Sequence, residues 1–104
     1  MAKFMMTYFG GNPPETPEAG KAHFAEFQAW LGELGDAVIS PANPLKDTQT
    51  VKPDGTSQSG SETRMSGYTL LEASDIDAAV AMAASCPFLT IGGTLEVAEC
   101  IQMG

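Results

Sequence analysis

Basic residues are scarce in this chain and are never clustered. Five lysines and arginines stand against 13 aspartates and glutamates, a net charge of −8 with the histidine neutral. Lys3, Lys21, Lys46, Lys52 and Arg64 are scattered, so there is no basic patch to hold a nucleic-acid backbone or an anionic membrane surface, and neither is an expected partner. Cysteine is just as sparse. Cys86 and Cys100 are too few for a disulfide framework, and beside a single histidine they cannot build a usual Cys/His zinc site. Reduced, packed thiols and a cytoplasmic location are expected, with no metal and no cofactor. No run approaches the roughly 20 apolar residues of a membrane-spanning helix, and "MAKFMMTYFGG" is apolar for too few residues to be a signal peptide. The glycines of "GGNPPE" and "IGGT" are not followed by the Lys-Ser/Thr of a phosphate loop, and no G-x-G-x-x-G fingerprint occurs.

What is present is enough for one domain over residues 1–104, of a size that buries a modest share of its surface and gains from a partner. "KFMMTYF" (3–9) reads as a first strand, stopped by Gly10-Gly11-Asn12-Pro13-Pro14. Phe4, Met6 and Tyr8 point one way, Met5 and Phe9 the other, so both faces are apolar and each needs a covering layer. Thr16-Pro17-Glu18 then reads as N-cap, first-turn proline and first-turn acid, and Gly35 as a left-handed stop. The helix between them, 17–34, is expected to bury Phe24, Phe27, Leu31 and Leu34 and to turn Glu18, Glu26 and Glu33 outward. His23 and Trp30 fall about 20° apart on one edge of that face.

"AVIS" (37–40) is a short strand ended by Pro41 and Pro44. Residues 46–64 are polar and carry a Lys-Pro-Asp-Gly turn, the mark of a hairpin excursion. "MSGYTLLEA" (65–73) is the next strand, and Ser74 is expected to cap a second helix with Ile76, Val80 and Ala83 buried, ended by Cys86-Pro87. Gly92-Gly93 turns the chain into a last strand, 94–103. The order β-α-β, excursion, β-α-β is the split pattern of an α+β, ferredoxin-like antiparallel sheet with two helices on one face. The uncovered face is expected to meet the same face of a second chain, giving a homodimeric α/β barrel with a cavity between the sheets.

The strand "KFMMTYF", the helix "AHFAEFQAWLGELGD", the segment "ISPANPLK" and the tail "SGYTLLEASDIDAAVAMAASCPFLTIGGTLEVAECIQM" together resemble the YCII-related family, including its DGPF-type branch. The resemblance implies a dimeric ferredoxin-like α+β barrel, related to cofactor-independent lyases, isomerases and monooxygenases, in a family mostly of unassigned function. It also implies a catalytic pair, an Asp near the end of the first strand and a His on the first helix. His23 matches the histidine, whereas Phe9-Gly10-Gly11-Asn12 offers no carboxylate and the DGPF-type motif is reduced to "SQSGSETRMSGY". Asp36, about 20 Å along the helix, reaches His23 only if dimerisation brings the two together.

Two functional classes follow. In the first, a cofactor-independent enzyme uses the His23 imidazole to move a proton on a small cyclic or aromatic-derived substrate. Tyr8, Phe27, Trp30 and Asn43 are the expected substrate-binding residues, an apolar wall with a few hydrogen bonds. In the second, the same fold is a non-catalytic dimeric module that binds a small molecule or another protein, and His23 is a packing residue beside Phe27 and Trp30.

Overall fold

The computed structural model describes residues 1–103. Strand β1 (Ala2–Gly10) leads into α1 (Pro17–Leu34), β2 (Val38–Pro44) and two short strands, β3 (Gln49–Val51) and β4 (Ser57–Ser59). Then come β5 (Met65–Ala73), α2 (Ile76–Ala83) and β6 (Gly93–Glu99). The four longer strands form one antiparallel sheet in the order β2-β5-β1-β6, the ferredoxin-like arrangement.

Strict alternation along β1 divides its residues between two environments. Phe4 and Met6 are fully buried and Tyr8 nearly so, facing the helices, while Met5, Thr7 and Phe9 on the opposite face are half-buried. In register, Phe4 stands opposite Leu71 and Met6 opposite Thr69, so the centre of the core lies on these two middle strands. Trp30 and Leu31 of α1, with Ala83 of α2, cover one part of it around Met6 and Leu71, and Ala79 of α2 covers the other around Phe4 and Ala73.

The first helix begins as its sequence requires. Thr16 Oγ1 accepts from the Ala19 amide at 3.0 Å, and Pro17 occupies the first turn where no amide donor is needed. Its buried face is rotated from the expected one: Phe24 is 62 % exposed, and the face centres on Phe27, Trp30, Leu31 and Leu34, with His23 inside it. The large indole decides that rotation, because burying Trp30 removes more apolar surface from water than burying Phe24 at the edge of the stripe.

Other expectations are corrected in the same way. Strand β2 runs past Pro41 to Pro44 because it is an edge strand, where a missing N–H on the outer side removes no ladder bond; slips in register near Ser40 and Asn43 absorb the prolines. Asp75, not Ser74, caps α2, its carboxylate accepting from the Ala78 amide at 2.8 Å. Ile76 and Val80 are 42 % and 49 % exposed; of the expected stripe Ala83 is buried, and Ala79 makes the rest of the contact. The last strand ends at Glu99, leaving Ile101 exposed.

Strands β3 and β4 pair only with each other, outside the main sheet. Their turn is held by Asp54, which accepts from the Thr56 amide and hydroxyl at 3.0 and 2.7 Å; those bonds keep its carboxyl below the usual range. Among the described residues, no helix is long and apolar enough to cross a membrane.

Candidate functional site

A cavity of about 360 Å³ lies between the first half of α1 and the β2–β5 side of the sheet. It is left open by small residues, Gly20 on the helix, Ala42 on β2 and Gly67 on β5. Gly67 is required there: a Cβ would stand 2.9 Å from the Asn43 carbonyl oxygen, because the bulged β2 backbone crosses directly over it. The larger lining is aromatic, from Tyr8, Phe24, Phe27, Tyr68 and Phe88, with His23 among them. This cavity sits within one chain, on the helix side of the sheet. Trp30 and Leu31 pack the C-terminal half of α1 onto the sheet, while toward its N-terminus Gly20, Ala42 and Gly67 leave the space between the aromatic rings unfilled.

His23 is half-buried on the inner face of α1. Its neighbours spend their hydrogen-bonding groups elsewhere, Tyr8 on Thr69, Ser66 on the Tyr8 carbonyl and Trp30 on α2, and His23 takes part in none of these bonds. No carboxylate lines the cavity, and the one ion pair among the described residues joins Lys52 to Glu62, in the hairpin region. Both imidazole nitrogens are therefore available to a ligand.

Tyr8 forms the floor. Thr69 Oγ1 gives its proton to the Pro41 carbonyl at 2.6 Å, so the Tyr8 hydroxyl, 2.5 Å away, must be the donor to Thr69. Burial pushes the phenol up to about 12, offset in part by the Thr69 contact and raised slightly by nearby Cys86. Tyr8 is consequently neutral at pH 7, a wall and an acceptor rather than an acid. Its ring meets Phe27 and Phe88 edge-on, with centroids 6.0 and 5.2 Å away.

The remaining expected residues separate. Asn43 lines the cavity but donates its amide to Ser40 Oγ at 2.9 Å and to the Tyr68 carbonyl at 3.1 Å, pinning β2 to β5. Trp30 does not reach the cavity. It stacks behind Phe27, is 3 % exposed, and donates Nε1 to the Met82 carbonyl and Ser85 Oγ at 3.1 and 3.2 Å. Asp36 is exposed in a turn beyond the far end of α1. Phe24 and Phe88 are lining residues that the sequence pattern did not reveal; Phe88 follows the Cys-Pro helix stop and carries no periodicity of its own. Cys86 is buried, and burial pushes its thiol up, away from nucleophilic use. No three His, Cys, Asp or Glu side chains gather as a metal-ligand set among the described residues.

No family model matches the chain, and no curated protein matches it in sequence. Among solved structures, it is similar to 5-chloro-2-hydroxyhydroquinone dehydrochlorinase from Burkholderia phenoliruptrix AC1100, in complex with 2,5-dihydroxybenzoquinone. The match has a TM-score of 0.54 and 16% identity and covers 90% of each chain. At that identity the likeness establishes the shared fold across nearly the whole chain.

Proposed function

We propose that this chain is a cofactor-independent enzyme in which His23 moves a proton on a small oxygenated ring compound held in the α1–β5 cavity. The observation that carries the reading is the placement of the chain's sole imidazole, with no partner in the chain, on an aromatic-walled cavity of about 360 Å³. Flat rings suit such walls, and an apolar enclosure strengthens a hydrogen bond from ligand to imidazole. The neutral ring takes a proton from an acidic position on the compound and can return it at another, so no redox partner is needed. The named substrate of the structurally similar dehydrochlorinase, a hydroxylated ring, belongs to this ligand class. The residues that resemble the YCII-related family, His23 foremost, support the same assignment.

A homodimer belongs to the proposal. Met5, Phe9 and Leu70 form an apolar, half-buried strip on the sheet face that neither helix covers, and a second copy of the chain would cover it.

A second reading, a non-catalytic binding module, is favoured by one feature, the absence of any carboxylate from the cavity lining. Incubation of the protein in D₂O with a panel of hydroxylated quinones and aromatic acids separates the two. Proton transfer exchanges ring hydrogen for deuterium, and His23→Ala should slow that exchange by about 10²–10⁴. Saturable binding with no exchange in any compound would establish the binding module instead.

A further inference from the structure

A second cavity, of about 290 Å³, lies at the corner where β1 ends and β5 and β6 begin. Four backbone positions around it, Gly10, Gly11, Gly92 and Arg64, have φ of 72°, 87°, 81° and 60°. The glycines meet close approaches there: a Cβ on Gly11 would lie 2.8 Å from the Phe88 ring, and one on Gly92 would lie 3.0 Å from Asn12 Nδ2. Arg64 has no such licence, since a left-handed conformation brings its Cβ against the backbone. Its backbone is clipped to β1, the Gly10 amide donating to the Arg64 carbonyl at 3.2 Å. Its guanidinium folds back over the same glycine, Nη1 3.7 Å from where a Cβ would stand.

Arg64 supplies the only charged side chain that lines this corner. Arg64 is the only arginine in a chain with 13 acidic residues, yet none of those acids lines the cavity. No carboxylate of the described residues lies within ion-pair distance of its guanidinium. The polar groups around it are the Asn12 amide, the Thr63 and Thr94 hydroxyls and the backbone of the Gly10-Gly11 turn. A planar guanidinium beside neutral donors, with acids excluded, matches the flat two-oxygen fork of a carboxylate.

We propose that this corner is a binding site for a small carboxylate, with Arg64 as its charged partner. It is distinct from the His23 cavity, with which it shares no lining residue; the Phe88 ring, which lines that cavity and meets Tyr8 edge-on, also closely approaches Gly11 of this corner. The site needs no proton transfer and stands whether or not His23 is catalytic.

A single arginine gives a single guanidinium Nε–H signal, so NMR titration of the intact protein with sodium benzoate and sodium acetate, against sodium chloride at equal ionic strength, reads the site directly. The Arg64 Nε–H and the Gly11 amide should shift together and saturate with the carboxylates and not with chloride. Arg64→Gln should weaken binding by about tenfold or more, the loss expected for a hydrogen bond to a charged group. Arg64→Lys should recover part of the affinity, and His23→Ala should leave it unchanged. Unsaturable shifts, an equal response to chloride, or an unaltered affinity in a folded Arg64→Gln protein would overturn the proposal.

Discussion

The two helices cover the same sheet in opposite ways. Helix α2 rests on Ala79 and Ala83, which are 0 % and 6 % exposed; Ala79 packs against Phe4 and Ala73, and the space beside the helix is an open groove of about 400 Å³ toward β6, lined by Ile76, Val80, Leu95 and Val97. Helix α1 stands on Trp30 and Leu31 and faces small residues, Ala42 and Gly67, toward its N-terminus, and a cavity opens there. Methyl contacts close a layer, whereas large contacts at one end of a helix opposite glycine at the other leave space for a ligand. Packing therefore seats one helix on its alanines and leaves an aromatic-walled cavity under the N-terminal half of the other.

The largest effect should come from removing the prop under α1. Trp30→Ala deletes the indole and its two hydrogen bonds to the α2 end, and urea denaturation should show a loss of about 3–5 kcal/mol. A loss below about 1 kcal/mol would mean that α1 is not packed onto the sheet by this residue. Phe24→Ala, on the same helix but 62 % exposed, should cost under about 0.5 kcal/mol while weakening ligand binding in the cavity.

Next in size is an alkaline loss of stability from the phenol beneath α1. Tyr8 ionises near 10 when unfolded and at about 12 when folded, so its contribution is fully present below pH 10 and is lost as pH rises through 12. The total is on the order of 2–3 kcal/mol. Denaturation midpoints measured between pH 9 and 12 should fall more steeply in the native protein than in Tyr8→Phe, and parallel slopes would remove Tyr8 as the cause.

The closed side of the comparison predicts a smaller penalty for added bulk. Ala79→Leu forces a branched side chain into a fully buried contact and should destabilise by about 1–3 kcal/mol. A neutral or stabilising result would show that α2 has slack beneath it and that the contrast between the helices is not one of packing.

Much of the fold was legible because its signals are local. The alternation Phe4-Met6-Tyr8 and the Thr16-Pro17 start of α1 depend on neighbours a few residues away, and the structure has them as the sequence implied; Gly35 does end the helix, with φ 57° but ψ −127° rather than the left-handed helical turn expected. The misreadings share a cause of longer range. Phe24, Ile76 and Val80 are apolar at helical spacing, but which side of a helix faces the sheet is settled by Trp30 in one case and by close-approaching alanines in the other. At the site, His23, Tyr8, Phe27 and Asn43 come together, and His23 and Phe27 could be placed there because both lie on one helix face. Phe88 reaches the cavity through tertiary contact after a proline stop, and Arg64 reaches its corner through a left-handed backbone, neither of which has a periodic signature.

The most direct test of the central claim is an NMR titration of the His23 imidazole with the same panel of hydroxylated quinones and aromatic acids. A compound that enters the α1–β5 cavity should move the His23 ring signals saturably and together with those of Phe27 and Phe88, and should lose affinity in His23→Gln. Binding of panel compounds that shifts other residues while the His23, Phe27 and Phe88 signals stay fixed would contradict the assignment of this cavity as the functional site.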